Sequence, residues 1–386
     1  MSVLARSVGS STVGPTRSAP VRSASRSRAQ GARRRRPTGA SEDHRDSQSG
    51  GRLAVLDLLR LCGAGAVLGH AYLFSGYAEV KSTLGFALPG AVFRYGYLGA
   101  DLFFLISGFV VLRTAWNRTP GSFLRSRITR IVPAYWVVLS LTAVVSVLFG
   151  AGRYPVSGLQ YVANLTLLNP LVNQPNIDPG YWTLFAEVRF YLIIAILLFF
   201  VATPRRVGIV AWSWLGLTAI YETGLLPTQV DLLLNTRYSH YFIAGMALAM
   251  IHRFGPSRSW LALIALCQLN ALYRGVQYAE ILGERYRAEI HGGVVAGLIA
   301  LMFWLLLAVA LNLTPATAGR RLGGLAAATY PLSLIHGQLG FIVFQRLGDR
   351  FNKYLLLVGT TLAMVLTAYL IQRIFERPLS RQGRHR

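Results

Sequence analysis

The chain has 386 residues, of which 53% are hydrophobic and only 14% are charged. A soluble protein of this size carries roughly a quarter charged residues, so the composition excludes an ordinary soluble enzyme and a disordered chain. Long apolar runs separate the charges, and the sequence therefore predicts an all-α, polytopic membrane protein.

The net charge of +24 arises from 39 basic and 15 acidic residues. Such a basic chain invites a nucleic-acid interpretation. The arginines, however, lie in an N-terminal tail and in short loops beside apolar runs, so we expect membrane lipids and no nucleic acid as partners. The two cysteines, Cys62 and Cys267, both lie within apolar stretches. We therefore predict no disulfide framework and no metal site.

Three regions are expected along the chain. Residues 1–51 are rich in Ser, Ala, Gly, Pro and Arg and hold too little apolar surface to fold alone, which predicts a disordered, basic cytoplasmic tail. The arginine block at 33–36 also permits contact with anionic lipids. Residues 52–378 form the predicted membrane domain of about ten helices, and residues 379–386 form a basic C-terminal tail.

Ten apolar segments approach the length that crosses a bilayer. They run roughly over residues 53–74, 95–114, 131–150, 181–201, 207–225, 237–251, 259–273, 292–312, 325–345 and 354–372. If both termini are cytoplasmic, 27 of the 39 basic residues lie on the inner side and ten on the outer side. This positive-inside bias predicts a multi-pass plasma-membrane protein with both termini in the cytoplasm.

Charged residues within apolar spans are candidates for function, because an unpaired charge in lipid is costly. The first span contains Asp57, Arg60 and His70. Asp57 and Arg60 are three residues apart and can pair on one helix face, or can snorkel at the cytoplasmic boundary. His70 lies deeper and is either a structural histidine or a general base, since its ordinary pKa is close to neutral.

Further polar residues occupy the later spans and one loop. The fourth span carries Trp182, Glu187 and Tyr191, where Glu187 needs a partner that we expect on another helix. Arg127 and Arg130 lie in the predicted loop before the third span. They either anchor the loop at the membrane surface or form a binding site for a polyanionic ligand. His336 is a second histidine within a span, with a structural or a substrate-contacting role.

These pieces occur in the order typical of one family. The segments are Leu56-Asp57-Leu58-Leu59-Arg60 with His70, Gly99–Phe109, Arg127–Pro133, Tyr181–Tyr191, Tyr330–His336 and Phe375–Pro378. Together they resemble the membrane-bound acyltransferase 3 family, which acylates sugars, glycolipids and macrolides. The resemblance covers residues about 52–378, and six weak motifs in order are a specific signal.

The resemblance implies an acyl-CoA donor, acetyl-CoA by default, as co-substrate and no bound cofactor. It implies a hydroxylated glycan, glycolipid or macrolide as acceptor. His70 would be the base that deprotonates the acceptor, with Arg60 orienting the histidine, the substrate or the donor, and Asp57 fixing Arg60. Arg127 and Arg130 would meet the phosphates of CoA, and Trp182, Glu187, Tyr191 and His336 would shape the substrate site.

One spacing departs from the family pattern. Nine residues separate Arg60 from His70, whereas the family usually has ten. Ten steps of about 100° leave the two side chains about 80° apart on a regular helix, unless a short 3₁₀ stretch overwinds it. The leading hypothesis is therefore an O-acyltransferase, beside a transporter or flippase for a lipid-linked sugar and an inactive scaffold. The acyl chain, the acceptor, the side of the membrane on which transfer occurs and the oligomeric state stay open.

Overall fold

The computed structural model describes residues 40–314 and 323–376, with side chains described for 55–314 and 324–375. Within these ranges all regular elements are helices and no strand occurs, which confirms the all-α prediction. The predicted N-terminal tail falls outside the described residues up to residue 39, and helix is assigned from Ala40 onward. The last two residues of the predicted domain and the C-terminal tail also lie outside.

Ten long helices of 18 to 31 residues occur in the described part, and each overlaps one of the ten predicted spans. In chain order they are α1 (Ala40–His70), α2 (Leu98–Ala115), α3 (Pro120–Phe149), α4 (Trp182–Phe199), α5 (Pro204–Glu222), α6 (Thr236–Phe254), α7 (Arg258–Tyr286), α8 (Gly292–Ala310), α9 (Thr329–Leu347) and α10 (Lys353–Ile371).

Shorter helical pieces join or extend these helices. They are the π-helical Ala71–Ser75 and Gln372–Glu376, the α-helical Gly76–Ala78, Ala87–Phe93, Gly158–Leu165, Asp231–Leu234 and Gly323–Ala327, and the 3₁₀-helical Asn169–Val172, Pro179–Tyr181 and Thr228–Val230. The first π-helical turn directly follows His70, and π-helical turns are frequent at functional sites.

Six helical segments in the described residues are long and apolar enough to cross a membrane. They are Val55–Ala78, Ala87–Ala115, Pro120–Phe149, Pro179–Phe199, Gly292–Ala310 and Lys353–Phe375. Helices α5, α6, α7 and α9 are also 19 to 29 residues long but are not among the six. The described part therefore supports a polytopic membrane protein with at least these six candidate spans.

Local sequence sets the beginnings of several helices. Pro120 occupies the first turn of α3, and the Thr119 hydroxyl accepts the Ser122 amide at 3.3 Å. At the start of α10, the Asn352 side chain accepts the Tyr354 amide at 3.0 Å. Both caps satisfy main-chain donors that the first helical turn leaves unpaired.

Helix α6 lies at the centre of the core and packs closely against α2. A Cβ atom added at Gly245 would lie 2.3 Å from the Leu105 carbonyl oxygen and 2.7 Å from the Gly108 Cα. The two backbones therefore approach at a pair of glycines, as small residues permit between membrane helices.

A Gly245→Ala variant is expected to lose about 1–3 kcal/mol of stability, because the methyl group overpacks this crossing against rigid backbone. The matched control is Gly297→Ala in α8, where a Cβ atom has open space. Thermal unfolding in detergent measures both. A Gly245→Ala variant that melts at the wild-type temperature would contradict the close crossing.

Candidate active site

One cavity of about 460 Å³ is lined by residues from α1, α2, α3, α4, α7 and α9. All nine residues singled out from the sequence line it: Asp57, Arg60, His70, Arg127, Arg130, Trp182, Glu187, Tyr191 and His336. These residues are spread from position 57 to position 336 of the chain. The fold therefore gathers the predicted residues around a single space.

The cavity extends along helix α1. Asp57 and His70 both line it, and thirteen residues of α-helix separate them by about 20 Å. We name the part around Arg60, Arg127 and Arg130 the basic end. The part around Tyr97, Tyr278 and Tyr286 is the tyrosine end.

The basic end contains a network of charges. The Arg60 Nη1 atom lies 3.3 Å from an Asp57 carboxylate oxygen, as the three-residue spacing predicts. Arg60 also interacts electrostatically with Arg130 and Glu187. Three guanidinium groups thus share two carboxylates, so this end carries a net positive charge and favours an anionic ligand.

Arg127 and Arg130 belong to helix α3, not to the loop that the sequence predicted. The helix starts at Pro120, because Pro120 and the Thr119 cap initiate it before the apolar run begins. Arg127 is 9% exposed, whereas Arg130 is exposed. The loop assignment was therefore wrong, although both side chains line the cavity.

Aromatic rings and one hydroxyl hold the Arg127 guanidinium. It donates to the Thr114 hydroxyl, and its Cζ atom lies 5.3 Å from the Phe123 ring centroid and 5.5 Å from that of Tyr191. Its buried Nε–H has no hydrogen-bond partner among the described residues. Such an unpaired buried donor is uncommon in folded proteins.

Glu187 receives its hydrogen bond from within its own helix. The Tyr191 hydroxyl, one turn later in α4, donates to the Glu187 carboxylate. On other helices, Glu187 interacts electrostatically with Arg60 and Arg127, as expected for a carboxylate within a span. Trp182, at the start of α4, stacks on the Tyr238 ring with centroids 4.9 Å apart.

His70 lies near the tyrosine end with a defined hydrogen bond. Its Nδ1 is 3.1 Å from the Phe93 carbonyl oxygen. Because a carbonyl oxygen only accepts, Nδ1 carries the hydrogen, and Nε2 keeps its lone pair in the neutral ring. The rings of Phe74, Tyr97 and Tyr286 surround the imidazole at centroid distances of 5.6, 5.8 and 6.3 Å. Such a fixed, neutral imidazole can act as a base.

Arg60 and His70 make separate contacts. Helix α1 is α-helical up to His70, so overwinding does not compensate for the shorter spacing. Arg60 pairs with Asp57, whereas His70 bonds Phe93. Ten helical steps also place them about 15 Å apart along the axis. Arg60 therefore does not orient the His70 ring by contact, and it belongs to the basic end of the cavity.

His336 lies in helix α9 beside a buried carboxylate that the sequence analysis missed. The Asp178 carboxylate accepts the amides of Gly180 at 2.7 Å and Gln338 at 2.6 Å and interacts electrostatically with His336. The Tyr72 hydroxyl donates to the His336 carbonyl at 2.7 Å. The Tyr72 bond joins α9 to the π-helical turn after His70, and the Asp178 carboxylate joins α9 to the segment before α4. Asp178 belongs to no motif used above; its Asp-Pro-Gly context signals only a helix start.

Glu79 also lines the cavity and was not identified from the sequence. It binds Lys81, the Arg285 guanidinium at 2.7 Å and the Tyr286 hydroxyl at 3.1 Å. Burial on its own raises the pKa of Glu79, but Lys81 and Arg285 outweigh it and hold the pKa below its usual range. Glu79 is therefore an ionised acceptor. The tyrosine end depends on helices far apart in sequence, so no local pattern indicated it.

Metal ligands are not grouped in the part of the chain that the structure describes. No set of three or more His, Cys, Asp or Glu side chains there could hold a metal ion. Cys267 is buried and Cys62 is exposed, and both are free thiols.

Comparison with known proteins identifies the family of the chain. The family model described as an acyltransferase domain, that of the acyltransferase 3 family, matches residues 53–373. The match covers nearly the whole helical part of the chain and includes all nine predicted site residues. No solved structure matches the chain.

Two curated proteins are similar to the chain. The exopolysaccharide production protein ExoZ of Rhizobium meliloti is 29% identical over 318 residues, which cover 77% of this chain and 93% of ExoZ. The peptidoglycan O-acetyltransferase OatA of Listeria monocytogenes is 26% identical over 187 residues, 41% of this chain and 30% of OatA. The chain thus spans less than a third of OatA. From the family match across residues 53–373, the chain belongs to the acyltransferase 3 family.

Proposed function

We propose that the protein is an integral membrane O-acyltransferase that moves an acyl group, acetyl by default, from acyl-CoA to a hydroxyl of a carbohydrate, glycolipid or glycosylated natural product. The observation that carries the proposal is the single cavity that joins three arginines to His70. The names of the relatives, a peptidoglycan O-acetyltransferase and an exopolysaccharide production protein, support a glycan acceptor.

The reaction needs one base and a site for the thioester. In the proposed step, His70 Nε2 takes the proton of the acceptor hydroxyl while its oxygen attacks the thioester carbonyl. The tetrahedral intermediate collapses, the carbon–sulfur bond breaks, and the proton on His70 passes to the CoA thiolate. The products are an O-acyl ester and CoA, and His70 is again neutral. The Nδ1–H bond to Phe93 holds the ring in the tautomer that this step requires.

The donor is proposed to enter at the basic end. Arg127 and Arg130 would bind its phosphates, with the unpartnered Arg127 Nε–H as one donor. Arg60, fixed by Asp57, would add a third guanidinium. The extended arm of CoA would then cover the distance of about 15 Å along α1 to His70. Trp182, Glu187, Tyr191 and His336 line the space through which the arm would pass.

The membrane arrangement is part of the proposal. We propose that α5, α6, α7 and α9 cross the bilayer with the six candidate spans, giving ten spans with both termini in the cytoplasm. In helix α6, the residues from Ser239 to Ile251 are all buried. Neighbouring helices shield such a helix from lipid, so it can cross the membrane without being as apolar as the six candidate spans. The inner loops then carry most of the arginines, so the basic end faces the cytoplasm and its acyl-CoA.

A transporter or flippase for a lipid-linked sugar is the second candidate. It is favoured by a cavity that reaches from Asp57, near one end of the first candidate span, to Glu79, just beyond its other end. A transporter would move its substrate without consuming acyl-CoA. The two functions therefore differ in a product that is simple to measure.

The test follows CoA release by purified protein in detergent from acetyl-, propionyl- and succinyl-CoA, with and without chitopentaose or a glycolipid extract. The expected result is release that requires both a donor and an acceptor. Isothermal titration with CoA is run in parallel, since a donor site should bind CoA without an acceptor. An absence of both CoA binding and CoA release would contradict the acyltransferase and favour the transporter.

A further inference from the structure

Aromatic rings form the walls of the tyrosine end. Tyr97 and Tyr278 meet edge to face with centroids 5.6 Å apart, and Tyr286 meets Phe74 at 5.2 Å. Both Tyr97 and Tyr286 also contact the His70 ring. The proposed base thus lies directly beside a set of aromatic surfaces.

The same end has a polar rim that differs in charge from the basic end. Ionised Glu79 pairs with both Lys81 and Arg285 and accepts from the Tyr286 hydroxyl. A further cation, Arg237, lies over the Tyr278 ring with its Cζ atom 4.3 Å from the centroid. Phosphate groups of a donor would meet this carboxylate, which repels them. A neutral hydroxyl group can instead donate to Glu79 and accept from Lys81.

One hydroxyl in this region lacks a partner. The Tyr97 hydroxyl is buried and has no hydrogen bond among the described residues. Several other buried side-chain atoms in the described residues also lack a hydrogen-bond partner. Among the described residues, only Tyr97 and Arg127 both have such an atom and line the cavity. One lies at each end, and unpaired buried groups are uncommon in folded proteins. The unpaired Tyr97 hydroxyl therefore lies within the wall of the tyrosine end.

We propose that the tyrosine end is the acceptor subsite and that it takes a sugar ring, with Tyr278 and Tyr286 packing against its apolar C–H face. A sugar ring has an apolar face, which can pack against an aromatic side chain, and a rim of hydroxyls. Those hydroxyls can bond the paired carboxylate and ammonium groups at this end. His70 Nε2 meets one hydroxyl on the rim of this ring. This rests on the proposed function and assigns its acceptor to defined residues.

The experiment measures binding of chitopentaose, a soluble oligomer of N-acetylglucosamine, to the full chain in detergent without any donor. Saturation-transfer NMR gives the affinity. Tyr278→Leu and Tyr286→Leu are each expected to weaken binding by at least about tenfold, because each removes an aromatic wall. Tyr286→Phe keeps the ring and is expected to weaken chitopentaose binding by about fivefold or less, because it removes only one hydrogen bond.

The matched control is Tyr273→Leu, on the same helix α7 but with a side chain 66% exposed and away from the cavity. It is expected to bind the oligosaccharide as the wild type does. CoA affinity should be unchanged in all four variants, which excludes general unfolding. Wild-type protein that does not bind chitopentaose, or Tyr278→Leu and Tyr286→Leu variants that bind it normally, would overturn the subsite. Loss of the proposed function would appear separately, as absent CoA release by protein that still binds the sugar.

Discussion

A His70→Ala variant is expected to lose acceptor-dependent CoA release by about 10²- to 10⁴-fold, the contribution typical of a positioned general base. The reason is the ring geometry, in which the bond from Nδ1 to the Phe93 carbonyl leaves Nε2 as the proton acceptor. The rate of CoA release from acetyl-CoA in the presence of acceptor measures the effect. CoA affinity should stay unchanged, because the proposed site for the donor phosphates is at the other end of the cavity.

Two controls separate a base from a structural histidine. His70→Asn retains an N–H that can donate to the Phe93 carbonyl but lacks a basic nitrogen, so it should melt near the wild-type temperature and still be inactive. His291→Ala changes an exposed histidine outside the cavity and should keep full activity. An active His70→Asn variant would remove His70 from the role of base.

An Arg127→Ala variant is expected to bind CoA about 10- to 100-fold more weakly, since hydrogen bonds to charged groups contribute about 1.5–3 kcal/mol. The guanidinium is buried between the Phe123 and Tyr191 rings. When it is removed, water cannot easily supply the charge and hydrogen bonds that the proposed phosphate contact requires. Isothermal titration with CoA measures the affinity. The affinity for chitopentaose should be unchanged.

Neighbouring variants test whether position or charge is responsible. Arg125→Ala removes an exposed arginine from the same helix and should leave CoA affinity at the wild-type value. Arg127→Lys keeps the charge but loses the planar fork and the Nε–H, so only part of the affinity should remain. Equal losses in Arg125→Ala and Arg127→Ala would indicate general attraction by positive charge and contradict a defined donor site.

The sequence predicted the helices and most of the cavity for physical reasons. Apolar runs of spanning length must satisfy their own backbone hydrogen bonds, so ten such runs gave ten long helices. Intramembrane charges need partners, and this rule singled out Asp57, Arg60 and Glu187 before any fold was known. The motif order then connected them with Arg127 and His70, and all of these residues line the same cavity.

The remaining residues of the site could not be found in this way. Asp178 lies in a polar segment and acts on α9 through main-chain amides, which leave no trace in side-chain patterns. Tyr97, Tyr278 and Tyr286 come from α7 and from the segment before α2, and tyrosine in a membrane protein is commonly an interfacial residue. The partner of His70 likewise depends on the position of Phe93, which only the packed structure gives.

Transfer of the acyl group from CoA to a sugar hydroxyl is tested most directly by following the acyl group itself. Purified protein is incubated with acetyl-CoA carrying a ¹³C-labelled acetyl group and with chitopentaose, and the oligosaccharide is analysed by mass spectrometry. The expected product is chitopentaose that is heavier by one labelled acetyl group, held as an alkali-labile O-ester. It should form in equal amount to free CoA and be absent with His70→Asn. CoA release with acetate as the product and unmodified sugar, or labelled sugar formed equally by His70→Asn, would contradict the proposed reaction.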